Sequence, residues 1–92
     1  MSRLLLSKKV RLILRHLLAV NPAHPAWGLS ICRGTGLGSG SVYVILERLR
    51  RAGWVESRTE TATPEGRPPR TFYKLTDRGA ARARSVLENT RE

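Results

Sequence analysis

Residues Ser39 to Ser57 constrain the fold of this chain more than any other stretch. They run from a small polar start, Ser-Gly-Ser, through an arginine-rich amphipathic segment to Ala52-Gly53 and then into Trp54-Val-Glu-Ser57. Val42, Ile45, Leu46 and Leu49 recur at i, i+3, i+4 and i+7, the spacing that lines one face of an α-helix. Ser39 or Ser41 can cap that helix, and Gly53 stands where glycine commonly follows a helix end. A helix over about 39–52 therefore feeds directly into a strand.

Upstream, Leu6, Val10, Ile13, Leu14, Leu17 and Leu18 share one helical face, with Lys8, Lys9, Arg11 and Arg15 on the rest. Ser7 is the expected cap, and Asn21-Pro22 the stop. Residues 21–26 hold two prolines and read as a connection. A short second helix is expected from Trp27 to Thr35, with Leu29, Ile31 and Cys32 on its buried side. The glycines of Gly36-Leu-Gly-Ser-Gly40 supply a tight turn between helices, with Leu37 plugging the core.

Downstream, Trp54–Thr61 and Phe72–Leu75 are rich in β-formers and flank the turn-rich loop Ala62–Arg70, a hairpin over about 54–75. A lone hairpin is marginal, so Trp54, Phe72 and Leu75 are expected to pack it on the helices. Thr76 then caps a last helix over about 77–89, with Ala80, Ala83, Val86 and Leu87 on one face. The expected fold is mainly α with a small β-hairpin, a winged helix-turn-helix, in a single domain over 1–92.

Composition narrows the partner. Seventeen Lys and Arg against seven Asp and Glu give 92 residues a formal charge of +10, which attracts polyanions. Lys and Arg interrupt every apolar run, which argues against a membrane span. The N-terminal Met1-Ser-Arg-Leu-Leu-Leu lacks the apolar region and cleavage site of a secretory signal, so a cytoplasmic location is expected. The single cysteine, Cys32, cannot form an internal disulfide and reads as a small core hydrophobe.

Catalysis and metal binding find no support. His16, His24 and Cys32 lack the short paired spacings that let one element grip an ion. Glu47, Glu56, Glu60, Glu65 and Asp77 are scattered, and Gly34-Thr-Gly-Leu-Gly lacks the Lys-Ser/Thr of a phosphate-binding loop. The expectation is a non-enzyme without cofactor or metal.

DNA is the favoured polyanion. A major groove admits one α-helix, and small residues at its N-terminus let the backbone approach phosphates and base edges, a role for Ser39, Gly40 and Ser41. Tyr43 projects away from the apolar face, where its ring can meet a thymine methyl and its hydroxyl a phosphate. Of Arg48, Arg50 and Arg51, Arg48 is the expected contact, the others partly solubilising the surface. In the wing, Arg67 and Arg70 flank two prolines that restrict the loop, so both cations can reach phosphates or a narrow minor groove. Trp27 and Trp54 read as packing residues before they read as pocket walls, and no feature supports a small-molecule effector.

These pieces resemble the PadR family of bacterial transcriptional regulators. Trp27-Gly-Leu-Ser-Ile is similar to the family's aromatic-Gly-aromatic-Glu-Ile, and Gly40-Ser-Val-Tyr-Val-Ile-Leu46 to its Gly-Thr-Leu-Tyr-Pro-Ile-Leu. Leu49 with Gly53-Trp-Val-Glu-Ser57, Gly66-Arg-Pro-Pro-Arg70 with Phe72-Tyr, and Leu75-Thr-Asp-Arg-Gly79 follow in register, over roughly residues 10 to 80. The resemblance implies a dimeric repressor on a pseudo-palindromic operator, with Ser41, Tyr43, Arg67 and Arg70 as DNA contacts. Val44 departs from the family proline. The chain ends at Glu92 without the longer C-terminal helix of family members, so the expected homodimer uses the C-terminal and N-terminal helices. Three rivals remain: an architectural DNA-binding protein of a phage or mobile element, an RNA-binding basic module, and a protein-interaction surface. Only five aromatics count against single-strand stacking.

Overall fold

Apolar spacing and caps set the helices. The computed structural model describes residues 6–64 and 66–88; the segment through Leu5, Glu65 of the wing, and Asn89, the expected end of the last helix, lie outside the described residues. Helix α1, Lys8–Leu18, begins as expected at Ser7, whose hydroxyl accepts the Val10 N–H. It buries Val10, Ile13, Leu14 and Leu17. Helix α2, Gly28–Thr35, ends at Gly36, where φ is +77° and glycine avoids the steric cost of the left-handed region. Helix α3, Ser39–Arg51, buries Val42, Ile45, Leu46 and Leu49, the four residues its spacing selects.

The end of α3 is closed by paired bonds. Trp54 N–H donates to Leu49 C=O and Gly53 N–H to Arg50 C=O, with Gly53 at φ +81°. This six-to-one and five-to-two pairing satisfies carbonyls that a bare helix end leaves open. It also turns the chain directly into strand β2, Val55–Thr59.

The wing is wider than the sequence suggests. Strand β3, Thr71–Leu75, pairs antiparallel with β2 on one side and with a short strand β1, Ala26–Trp27, on the other. Residues 26 and 27 were expected in a connection and a helix; instead Ala26 pairs with Tyr73 and Trp27 with Phe72. Two residues are too short to show alternation, so nothing local marks them as a strand. Alternation places Ala26, Tyr73, Leu75 and Val55 on one sheet face and Trp27, Phe72, Lys74, Glu56 and Arg58 on the other. Ala26 and Val55 on the first face join the core.

Ile13, Leu14, Ile31, Val42, Leu46 and Leu49 are almost wholly buried, tying α1, α2 and α3 together. Burial of each such side chain stabilises the fold by about 1.5–3 kcal/mol. Leu29 does not join them. At 42% exposure it corrects the expected buried set, because α2 points Gly28 and Ile31 inward and carries Leu29 off that axis. Cys32 is half-buried and packs against the core, and Leu37 does the same.

Helix α4, Asp77–Glu88, is started by Thr76, whose hydroxyl accepts the Gly79 N–H and donates to Gly53 C=O. Gly79 lies flat on the backbone of Trp54, where a methyl would overlap the carbonyl. Trp54 itself is buried in the core.

Candidate nucleic-acid interface

Helix α3 enters solvent at an uncapped N-terminus. Gly38 occupies the cap position in extended conformation, and among the described residues no side chain takes the first N–H groups. This corrects the expected serine cap. Ser39 already lies inside the helix, and the Ser41 hydroxyl instead accepts from Lys9 Nζ at 3.3 Å. The N–H groups at the start of α3 therefore stand beside a lysine, in the positive end of the helix field, which suits a phosphate oxygen.

Tyr43 is 49% exposed, yet its outer end is not loose. A methyl added to Gly28 would overlap its hydroxyl and ring, so the side chain lies across the start of α2 where only glycine leaves room. Nearby stand Tyr73, Glu47 and Arg50. Burial pushes the Tyr73 hydroxyl pKa up, the Tyr43 and Glu47 charges add to this, and Arg50 opposes it.

The arginines of α3 separate into two kinds. Arg50 grips Glu47 with Nε to Oε1 at 2.9 Å and Nη2 to Oε2 at 2.7 Å, and Arg51 Nε donates to Oε2 at 3.0 Å. Hydrogen bonds from Arg50, then Arg51, hold the Glu47 carboxyl down at about 2. Arg48 is exposed and meets no carboxylate among the described residues. Glu47, which the sequence offers only as one of several scattered carboxylates, thus forms a helix-surface ion cluster, and its i, i+3 and i, i+4 spacing to Arg50 and Arg51 is the signal that could have found it.

Both expected wing cations are engaged within the protein. Arg67 straddles Glu60, with Nη1 at 3.0 Å from Oε1 and Nη2 donating to Oε2 at 3.1 Å, and the pair is about three-quarters sheltered. Arg70 donates its backbone N–H to Glu60 Oε1 and lays its guanidinium 3.9 Å from the centre of the Trp27 ring. These bonds, Arg67 foremost, keep the Glu60 carboxyl below the usual carboxylate range. Arg58, unremarked in the sequence, lies 5.9 Å over Phe72 on the outer sheet face. Ser39, Gly40, Ser41, Tyr43 and Arg48 are thus brought together on α3, while Arg67 and Arg70 belong to a separate brace at the wing base.

A groove of about 540 Å³ opens elsewhere, between the C-terminal end of α1, Pro22, Pro25, Phe72 and Ala80. Neither tryptophan lines it, and neither does any residue of α3. Among the described residues no group of three His, Cys, Asp or Glu could hold a metal ion, and no helix is long and apolar enough to cross a membrane.

Solved structures share this arrangement. AbfR in a disulfide-formed state is 27% identical with a TM-score of 0.71, over 89% of this chain and 51% of AbfR, so the chain spans about half of that protein. A transcriptional regulator homologue from Pyrococcus horikoshii OT3 is 29% identical with a TM-score of 0.69, over 88% of this chain and 75% of its own. A PadR-like transcription factor from Bacteroides fragilis has the same fold, with a TM-score of 0.71 at 21% identity over 86% of this chain and 76% of its own. No curated protein matches the chain in sequence. The transcriptional regulator PadR-like family matches residues 16–85, which hold α2, α3, the wing and most of α4, and the chain belongs to that family.

Proposed function

We propose that residues 1–92 act as one winged-helix domain that binds double-stranded DNA sequence-specifically and represses transcription in the cytoplasm as a homodimer. The observation that carries this reading is the solvent face of α3. It offers, on a chain of charge +10, N–H groups beside Lys9, a held Tyr43, and an Arg48 that meets no carboxylate among the described residues. The family to which the chain belongs supports the regulatory role.

In this reading Ser39, Gly40 and Ser41 approach the DNA backbone, Tyr43 contacts a base edge or thymine methyl, and Arg48 takes a phosphate. Arg70 reaches a wing-side phosphate with the N–H edge of its stacked guanidinium. Arg67 contributes less, because any phosphate must compete with Glu60 for it. The homodimer forms through α4 and α1, which pack side by side in each copy.

Selection from a random duplex pool at low and near-physiological salt tests the reading. An inverted repeat with half-sites about one helical turn apart is the expected product. Binding that disappears with salt and leaves no shared sequence would favour an architectural or RNA-binding role instead.

A further inference from the structure

The face of α3 opposite its buried residues is centred on Gly40, Val44, Glu47 and Arg51, with Tyr43 flanking it on one side and Arg48 on the other. Val44 is 52% exposed and Arg51 more so, its side chain 76% open to solvent. An α-helical side chain leans toward the helix N-terminus, and the Glu47 bond holds the Arg51 guanidinium one turn back rather than beyond the helix end.

Arg50 and Arg51 use the same carboxylate differently. Arg50 is clamped by Nε and Nη2 and its side chain is 46% exposed, well below the 76% of Arg51. Arg51 is held through Nε alone, and among the described residues neither of its terminal amino groups has a partner. A guanidinium fixed by Nε with both terminal groups outward presents two parallel donors. In the major groove, guanine presents two acceptors, O6 and N7, at matching spacing, and no other base does. The cluster keeps one net positive charge, so it remains attractive to DNA.

We propose that Arg51 is a specificity-determining residue that reads a guanine from the major groove, and that Glu47 is its positioning residue. This rests on α3 being the recognition helix. Arg51 donates from its terminal amino groups to guanine O6 and N7, while Glu47 keeps the fork from turning to the phosphates. A free arginine at this position would select charge; a held one selects a base.

The test uses the whole chain and a duplex selected by it. Each guanine is replaced in turn by 7-deazaguanine, which lacks the N7 acceptor, and affinities are compared for wild type, Arg51→Ala, Arg51→Lys and Glu47→Gln. One guanine in each half-site should cost the wild type about tenfold on replacement. Arg51→Ala should bind the unmodified duplex correspondingly more weakly and be indifferent to that replacement. Arg51→Lys should not restore the sensitivity, because a single ammonium lacks the fork. Glu47→Gln should lower the preference for the selected duplex over a scrambled one. If Arg51→Ala weakens selected and scrambled duplexes equally and flattens the salt slope by about one, Arg51 is a phosphate contact and the proposal fails. If wild type shows no sensitive guanine, the proposal fails without any variant. If no sequence is selected at all, the recognition-helix reading fails with it.

Discussion

Helix α3 and the wing each hold arginines on a carboxylate, but the two clusters differ in shelter. Glu47 and Arg51 sit on an open surface with the Arg51 side chain 76% exposed, whereas Arg67 and Glu60 are 27% and 21% exposed. The open cluster leaves donors facing outward. The sheltered one turns its donors inward, ties two ends of the wing loop together, and through Arg70 on Trp27 fastens the wing loop to β1. Similar residues are therefore placed differently: those of α3 keep donors toward solvent, and the wing cations hold the wing in shape.

The largest effect is expected from Gly28→Ala, whose methyl overlaps the Tyr43 hydroxyl and ring. Moving Tyr43 off its seat should cost the selected duplex about tenfold in affinity, a loss in the range of one good base contact, while scrambled duplex binding changes little. Equal loss on both duplexes would mean that Tyr43 contributes nothing to discrimination.

Glu60→Ala acts on the other cluster. It frees Arg67 and removes the partner of the Arg70 N–H, so limited proteolysis should cut the wing sooner. Binding should become more salt-sensitive, with the slope of log affinity on log salt steeper by about one as Arg67 turns to phosphate. An unchanged slope would show that Arg67 already meets DNA in the wild type. Arg67→Ala is the converse and the smaller effect: with Glu60 already neutralising Arg67, the slope should change by less than one.

Acid titration gives the smallest change at working pH. The Glu47 carboxyl is held at about 2 against an ordinary 4.5, so the cluster's stabilising contribution is fully present above about pH 4.5 and is lost as pH falls toward 2. Discrimination should therefore be flat between pH 5 and pH 8 as far as Glu47 is concerned. Carbon chemical shifts of Glu47 followed by NMR should give a midpoint near 2. A midpoint near 4.5 would mean that the arginine clamp is not formed in solution.

The helical part of the fold was legible because its signals are local. The spacing of Val42, Ile45, Leu46 and Leu49, the Ser7 and Thr76 caps, and the Gly36 and Gly53 ends all act within a few residues of one another. The missed features depend on distant partners. Strand β1 exists because Trp27 meets Phe72, and the Ser41 hydroxyl finds its partner in Lys9, 32 residues away. Leu29 misled because an eight-residue helix shows too few repeats to fix which side faces inward. At the candidate site the residue types of α3 were readable, but Glu47 reads in sequence as one of several scattered carboxylates, although its spacing to Arg50 and Arg51 could have paired it with them. The engagement of Arg67 and Arg70 was not readable, since Glu60 and Trp27 reach them only when the wing closes.

If α3 is the recognition helix, it discriminates between sequences while the wing supplies shape and sequence-independent attraction. The most direct measurement compares Tyr43→Ala with Arg70→Ala on a selected and a scrambled duplex at one salt concentration. Tyr43→Ala should lower the ratio of the two affinities by about tenfold, and Arg70→Ala should weaken both duplexes alike with the ratio unchanged. If the two variants change the ratio equally, the division of labour between helix and wing is wrong.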